Sequence, residues 1–310
     1  MFSRTFLPII VAALVKIAPL CGATCGSHGT QASMLVNAAW LGEHSHDKDL
    51  VVLGVGKREE YSARHIPGSG YLEFADVHTS TPPSGSNALI LELPPPEQVK
   101  DVLAKAGVSN RSRVILYSTG ENATLTARVY LTLDAMGLGA TTSILDGGLP
   151  LWRREGREVT QDVPVVVPGE LQLCPQNDVV VNLDYVRSQV HQPNAVIVDA
   201  RLAEFYSGDK IPPQRRAGHI PGAANIPFAS LIDENGRLLP PQALREKFEN
   251  AGARRGNQVI TYCHIGQQAS LAYFAARYVG YDARMFDGSW QEWSAHTELP
   301  AETSKKEPQH

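Results

Sequence analysis

The chain has 310 residues, 43% of them apolar, and a formal net charge of −4. That length fits about two domains of the usual ~100–200 residues, with enough apolar side chains for packed cores. A weakly acidic chain offers no basic surface for nucleic acid.

The N-terminus reads as an export signal. Arg4 precedes the apolar run Phe6–Val15, Lys16 interrupts, and Ile17–Ala23 ends on small residues. A basic start, an apolar core and small residues near Ala23 fit a secretory signal peptide over residues 1–23. The mature protein is then expected to begin near Thr24 and to be periplasmic or secreted. The run is too short to cross a bilayer, so no stable membrane span is expected.

The first half carries five separated motifs. These are Val51-Val52-Leu53-Gly54, Glu59-Glu60-Tyr61, His65-Ile66-Pro67-Gly68, Val114-Ile115-Leu116-Tyr117-Ser118, and Asp146-Gly147-Gly148 with Trp152. A surface loop is expected at 80–87. The stretch 162–170 holds two prolines without helical spacing and predicts an extended linker, placed at 161–178 overall.

The five motifs then recur in the same order. They return as Val196-Ile197-Val198-Asp199, Glu204-Phe205-Tyr206, His219-Ile220-Pro221-Gly222, Val259-Ile260-Thr261-Tyr262-Cys263, and Asp287-Gly288-Ser289 with Trp293. So long a period indicates a duplicated domain. In this second copy the pattern predicts a helix over 182–190, a strand over 195–199 and a short extended piece at 224–227. A helix opened by Pro240-Pro241 runs to about 250, followed by strand 258–262, helix 267–279 and strand 283–286. Alternating strands and helices imply parallel pairing with right-handed crossovers. Residues 301–310 read as a polar, frayed tail.

Cys263 stands where the apolar strand Val259–Tyr262 stops and the helical run Ala269–Ala276 is about to start. Strand tips of open α/β sheets carry their sites. Amides entering a helix favour negative charge there, so a thiolate at this point is expected to have a lowered pKa and to be nucleophilic. Gly266 frees the loop to turn. The alternative is a buried, inert thiol. Four cysteines do not make a disulfide framework: Cys21 falls in the signal, Cys25 in a polar tail and Cys174 in the linker. A Cys174–Cys263 bridge stays open in an oxidising compartment.

Asp199-Ala200-Arg201, Gly218-His219-Ile220-Pro221-Gly222-Ala223, Tyr262-Cys263 with Gly266, and Asp287-Gly288 with Trp293 together resemble a rhodanese domain. Residues 33–300 resemble a tandem two-domain rhodanese of the thiosulfate or mercaptopyruvate sulfurtransferase type. The resemblance implies two α/β domains, each a central parallel sheet flanked by helices, at 33–160 and 179–300. It implies that the first is inactive, because Ser118 stands for Cys263 and Gly54 for Asp199, though it could form one wall of the cleft. It further implies an enzyme that moves sulfane sulfur through a Cys263 persulfide. The donor is anionic, thiosulfate or 3-mercaptopyruvate, and the acceptor is a thiol or cyanide. No cofactor or metal is needed.

That chemistry requires an accessible thiolate, N–H donors for the anionic persulfide and a cation for the donor. The donors fall to the loop His264, Ile265, Gly266, Gln267 and Gln268. By family position Arg201 contacts the donor, with Asp199 beside it and Arg216 as a second choice. A salt bridge of Arg201 with Asp199 or Glu204 is the competing reading. His219, His65, Trp293 and Trp152 read as structural, since both copies carry them. Thiosulfate-specific relatives carry basic residues just after the cysteine, whereas here only His264 follows, partly protonated at neutral pH. Its help would fade as pH rises through roughly 6–7.

A phosphatase of related fold needs an arginine six positions after the cysteine, and Ala269 stands there. A non-enzymatic scaffold, or a sulfur relay to a partner protein, remains the alternative; the retained Cys263, Asp199 and Arg201 favour the enzyme. His44-Ser45-His46-Asp47 reads as a polar loop, not zinc ligation. Gly54-Val55-Gly56 is too short for a nucleotide loop.

Overall fold

The computed structural model describes residues 34–79 and 88–304. The stretch 1–23 read as a signal peptide, Cys21, Cys25, the loop expected at 80–87 and the end of the tail lie outside them.

The first repeat begins with β1 (Leu35–Val36), α1 (Ala38–His44), β2 (Leu50–Val55), α2 (Arg58–Ala63) and β3 (Gly70–Leu72). It continues with α3 (Pro96–Lys105), β4 (Arg113–Ser118), α4 (Ala123–Ala135), β5 (Thr142–Leu145) and α5 (Gly148–Arg154). The second repeat begins with β6 (Val180–Val181), α6 (Leu183–Gln189), β7 (Ala195–Asp199), α7 (Ala203–Ser207) and β8 (Ala224–Asn225). There follow α8 (Pro241–Asn250), β9 (Gln258–Tyr262), α9 (Gln267–Tyr278), β10 (Asp282–Phe286) and α10 (Ser289–Ala295). The sheets have orders β1-β5-β4-β2-β3 and β6-β10-β9-β7-β8, and every pairing is parallel. The expected α/β architecture of two parallel sheets flanked by helices is therefore present.

The central strands explain this arrangement. Val114–Tyr117 in β4 and Val259–Tyr262 in β9 are buried on both faces, as strands covered by helices on each side must be. Both α3 and α8 open on a proline, where the missing N–H costs no helical bond. Beneath the sheets, α4 and α9 pack against each other and bury nearly every side chain. Tyr130 meets Phe274 edge-on at 4.8 Å between ring centres. The Tyr273 hydroxyl donates to Asp134 at 2.6 Å, and Arg277 pairs with the same carboxylate at 2.9 Å. One apolar core thus runs through both repeats.

The stretch after α5 has no helix and only one isolated bridge before β6. It is tied to the first repeat where Gly169 donates to the Ala104 carbonyl at 2.8 Å and Asn110 pairs with Gln172 at 2.8 Å. Cys174 is disulfide-bonded and Cys263 is a free thiol, so the bridge between those two does not form. Its partner lies outside the described residues. His65 and His219 stack on Tyr61 and Tyr206 at 4.0 and 3.7 Å, and each ring Nδ1 bonds that tyrosine's carbonyl. Trp152 and Trp293 each donate their indole N–H to a carbonyl, of Glu158 and Pro300. All four residues hold structure.

Candidate active site

Strand β9 ends at Tyr262, and α9 starts at Gln267. Cys263 stands at the strand tip with 0% exposure. The backbone N–H groups of Ala269, Ile265, Gly266 and Gln268 turn onto its sulfur. The cradle is built by Gly266, whose φ of +90° lies where a side chain is strained. A Cβ there would stand 2.7 Å from Asp287 Oδ1 and 2.9 Å from Arg128 Nη1. The loop is held from below by α10: Trp290 N–H donates to the Cys263 carbonyl at 2.9 Å and Gln291 N–H to that of His264 at 3.0 Å. Ser289 Oγ accepts from the Cys263 N–H at 3.2 Å.

Burial pushes the Cys263 thiol up from its ordinary value, and the four amides oppose it. The low thiol pKa expected from sequence is therefore not what this closed site holds. Of the loop 264–268 the amides of Ile265, Gly266 and Gln268 face the sulfur, joined by Ala269 and not by His264 or Gln267, and desolvation outweighs them.

Arg201 is buried with Asp199, both at 0% exposure. Its Nε lies 3.0 and 3.1 Å from the two carboxylate oxygens, and its Nη2 lies 2.5 Å from Oδ2 and 2.8 Å from the Gly218 carbonyl. The guanidinium sits 4.7 Å over the Trp290 ring. Only Nη1 is buried without a partner among the described residues. Of the two ion-pair partners open from sequence the structure takes Asp199, while Glu204 pairs with Lys210 at 2.9 Å. Arg216 goes elsewhere. Its nitrogens donate to the carbonyls of Ser294, Leu299, Trp293 and His296 at 2.8–3.3 Å, which closes the C-terminal end of α10. Those donors are satisfied there and do not serve an anion at Cys263.

His264 is half-buried, edge-on to Phe205 at 4.6 Å. Burial, and then the nearby Arg201 charge, push its pKa down to about 4. It is neutral at pH 7, so the expected loss of a cation between pH 6 and 7 has no source. Gln267 reaches across to the first repeat and donates to Thr124 Oγ1 at 3.0 Å. Gln268 Oε1 is buried without a partner.

The residue missed from sequence is Arg128, on α4 of the first repeat. It is fully buried and grips Asp287 with both terminal nitrogens, Nη2 to Oδ2 at 2.9 Å and Nη1 to Oδ1, while Nη2 also reaches the Leu91 carbonyl. Its charge acts on Cys263 as well. The signal was there: an arginine in a helical run otherwise made for burial must be paired. The same first-repeat segment brings Leu93 N–H to Asp287 Oδ2 at 3.1 Å, and Gln291 exchanges hydrogen bonds with Ile90 and Ala88. Between these contacts lies Glu92, with Oε1 buried and unpartnered. Burial, then the Asp287 charge, push its carboxyl up to about 8, against the pull of Arg128. The first repeat therefore does form a wall of the site.

Among the described residues, no group of His, Cys, Asp and Glu side chains could hold a metal, and no helix is long and apolar enough to cross a membrane.

Two parallel-sheet domains with a cysteine cradled at one strand tip define a class. The Rhodanese-like domain family matches residues 37–155 and again 182–296. The chain belongs to that family, in its tandem sulfurtransferase form. It is 30% identical over 284 residues to a probable 3-mercaptopyruvate sulfurtransferase of Pseudomonas aeruginosa, covering 87% of this chain and 98% of the relative. The 3-mercaptopyruvate sulfurtransferase of Escherichia coli is 29% identical over 283 residues, 87% of this chain and 98% of its own. The sulfur carrier protein TtuD of Thermus thermophilus is 28% identical over 283 residues, at 86% and 95% coverage. Among solved structures, the fold matches that of YnjE with a TM-score of 0.78 at 24% identity, covering 89% of this chain and 69% of that one. The anaerobic ergothioneine biosynthesis enzyme of Chlorobium limicola matches with a TM-score of 0.77 at 20% identity, covering 89% and 71%.

Proposed function

We propose that the enzyme takes sulfur from 3-mercaptopyruvate in preference to thiosulfate, through a Cys263 persulfide. The observation that carries this is the charge balance around the cysteine. Arg201 is paired with Asp199, Arg128 with Asp287, and His264 is neutral at pH 7. Glu92 still holds its proton there. The site offers directed N–H groups but no surplus cation, which suits a monoanion better than the dianion thiosulfate.

In the first half-reaction the Cys263 thiolate attacks the sulfur of HS–CH2–CO–CO2⁻. The S–S bond forms, the C–S bond breaks, and the electron pair leaves on the pyruvate enolate. The donor's thiol proton ends on that carbon, giving pyruvate and Cys263–S–S⁻. The amides of Ile265, Gly266, Gln268 and Ala269 face the charge in both states. The spare Nη1 of Arg201 is the candidate contact for the donor carboxylate. A thiolate or cyanide then attacks the outer sulfur and regenerates the Cys263 thiolate. The sulfur carrier name of the Thermus relative supports a protein acceptor as one possibility of the same step. Because burial opposes the thiolate, the reactive fraction grows as pH rises into the alkaline range.

The test is kcat/KM for both donors with cyanide as common acceptor. A preference of at least ~10-fold for 3-mercaptopyruvate is expected, about 1.4 kcal/mol. Equal values, or a preference for thiosulfate, would overturn the donor assignment.

We also propose that the mature protein is exported. The apolar N-terminal run supports it, as does a disulfide at Cys174, which suits an oxidising compartment. N-terminal sequencing after fractionation is expected to start near Thr24; an intact Met1 in cytosol would contradict it.

A further inference from the structure

The first repeat has a serine, Ser118, at the position of Cys263, and a cavity lies beside it. A space of about 200 Å³ opens beside Ser118. Its apolar floor includes Leu35 and Ile144 from the first repeat and Leu271 and Phe274 from α9. The segment 232–238 of the second repeat roofs it, and Leu238 N–H donates to Asp146 Oδ1 at 2.9 Å.

Nothing at this cavity suits an anion. Ser118 does not face the loop amides as Cys263 does; its hydroxyl donates to the Gly120 carbonyl. Four carboxylates line the space, those of Glu121, Asp146, Asp233 and Glu234. One cation, Arg154, opposes them, and its Nη2 is engaged by the Asn235 carbonyl at 2.8 Å. A second feature points to an occupant. Thr126, another lining residue, is 1% exposed, and its hydroxyl has no hydrogen-bond partner. A buried hydroxyl is normally satisfied.

We infer that this cavity is a binding site for a small organic cation, an ammonium group carried on a compact apolar body. The ammonium lies against Asp146 with the acidic rim around it, and the apolar part rests on Ile144, Leu271 and Phe274. Burial of charge beside a carboxylate held by backbone N–H groups, in an acidic rim, is what makes the match selective. Because α9 supplies part of the floor and also carries the Cys263 cradle at its first turn, an occupant touches the helix that builds the catalytic loop.

Asp146 also supplies a pH signature. Burial pushes its carboxyl up to about 6, with Asp233 adding to the rise and Arg237 opposing it. The remaining charged or titratable neighbours are Glu121, Glu234, Arg154 and Tyr278. A cation binds the ionised form, so its affinity rises as pH climbs through about 6 and levels off above.

The probes are n-butylammonium, n-butanol and butyrate, titrated against the full chain by calorimetry. Butylammonium is expected to bind at least ~10-fold tighter than butyrate at pH 7.5, and to weaken ~10-fold towards pH 5. Asp146→Asn is expected to remove the pH dependence and the preference for the cation. Ile144→Trp, which fills the space from the β5 side, is expected to abolish binding of all three while Cys263 remains reactive. Should either variant fail to fold, the charge preference and pH response of the unaltered protein still decide. Equal affinities for the cation and the anion, no binding of butylammonium, or binding indifferent to pH between 5 and 7.5 would each overturn the proposal.

Discussion

The two strand tips at Cys263 and Ser118 hold corresponding places in the two repeats and differ in what faces them. At β9 the cysteine sulfur receives four amides, and two buried ion pairs, one within the second repeat and one bridging the two repeats, close the surroundings. At β4 the serine hydroxyl turns to a carbonyl, and glycines stand where the second repeat has Asp199 and Arg201. Tyr117 fills the first gap: a Cβ on Gly54 would stand 2.8 Å from its hydroxyl. Thr119 fills the second, 1.9 Å from a Cβ on Gly56. The roofs kept their shared logic. Leu93 N–H caps Asp287 from the first repeat, and Leu238 N–H caps Asp146 from the second. Only the Asp287 side gained an arginine; at the corresponding position α9 has Tyr273, which bonds Asp134 instead. The tip at Ser118 thus differs from that at Cys263 in the thiol, the amide cradle and both arginines together.

The largest effect should come from exchanging the two tips. Cys263→Ser is expected to lower sulfur transfer at least ~10³-fold, and Ser118→Ala to leave it within about 2-fold. Adding Ser118→Cys to Cys263→Ser should restore nothing, since a thiol there lacks the amides. Recovery of activity in that double variant would break the comparison.

Next in size is the Arg128–Asp287 pair. Removing one partner strands the other charge in a buried site, so Arg128→Ala is expected to cost about 3–5 kcal/mol of stability in a urea melt. The same reasoning applies to Arg201→Ala, because Asp199 is as deeply buried. Rescue of stability by Arg128→Met with Asp287→Leu, without rescue of turnover, would separate folding from catalysis. A wild-type melt for Arg128→Ala would remove the ion pair from the structural argument.

Gly266→Ala should cost about 1–2 kcal/mol in backbone strain, and more in activity, because the new methyl meets Asp287 and Arg128. The matching change Gly68→Ala, at another positive φ but in open space, should bring the strain alone and leave turnover within 2-fold. Similar turnover losses in both would contradict the close approach at the cradle.

The smallest effect is electrostatic. Glu92 keeps its proton up to about pH 8 when folded, against an ordinary value of 4.5. Its stabilising contribution is full below 4.5 and is lost as pH rises towards 8. Glu92→Gln should flatten the fall in stability across that window. An unchanged pH–stability curve would show that Glu92 is not a desolvated acid.

The fold was legible because the repeat wrote it twice, and the cysteine because it stands between a strand and a helix in the second copy. Parallel β-rich runs, the His-Ile-Pro-Gly turn and the strand–Cys–Gly–helix order are local patterns. What escaped was set by tertiary contact. Arg128 carries no motif; its meaning lies in Asp287, far along the chain on the other domain. His264 reads as a part-time cation in sequence, yet its place under Phe205 and beside Arg201 removes the charge. Arg216 stands next to a family motif, but its reach to four carbonyls of the α10 turn is a matter of packing. The raised thiol pKa likewise follows from the burial of Cys263 in the folded chain.

The most direct measurement is intact-protein mass spectrometry of the full chain after incubation with 3-mercaptopyruvate and no acceptor. The unaltered protein should gain one sulfur atom, mapped to Cys263 by peptide analysis and released on adding cyanide. No gain with 3-mercaptopyruvate or thiosulfate, or the same gain in Cys263→Ser, would contradict transfer through a Cys263 persulfide.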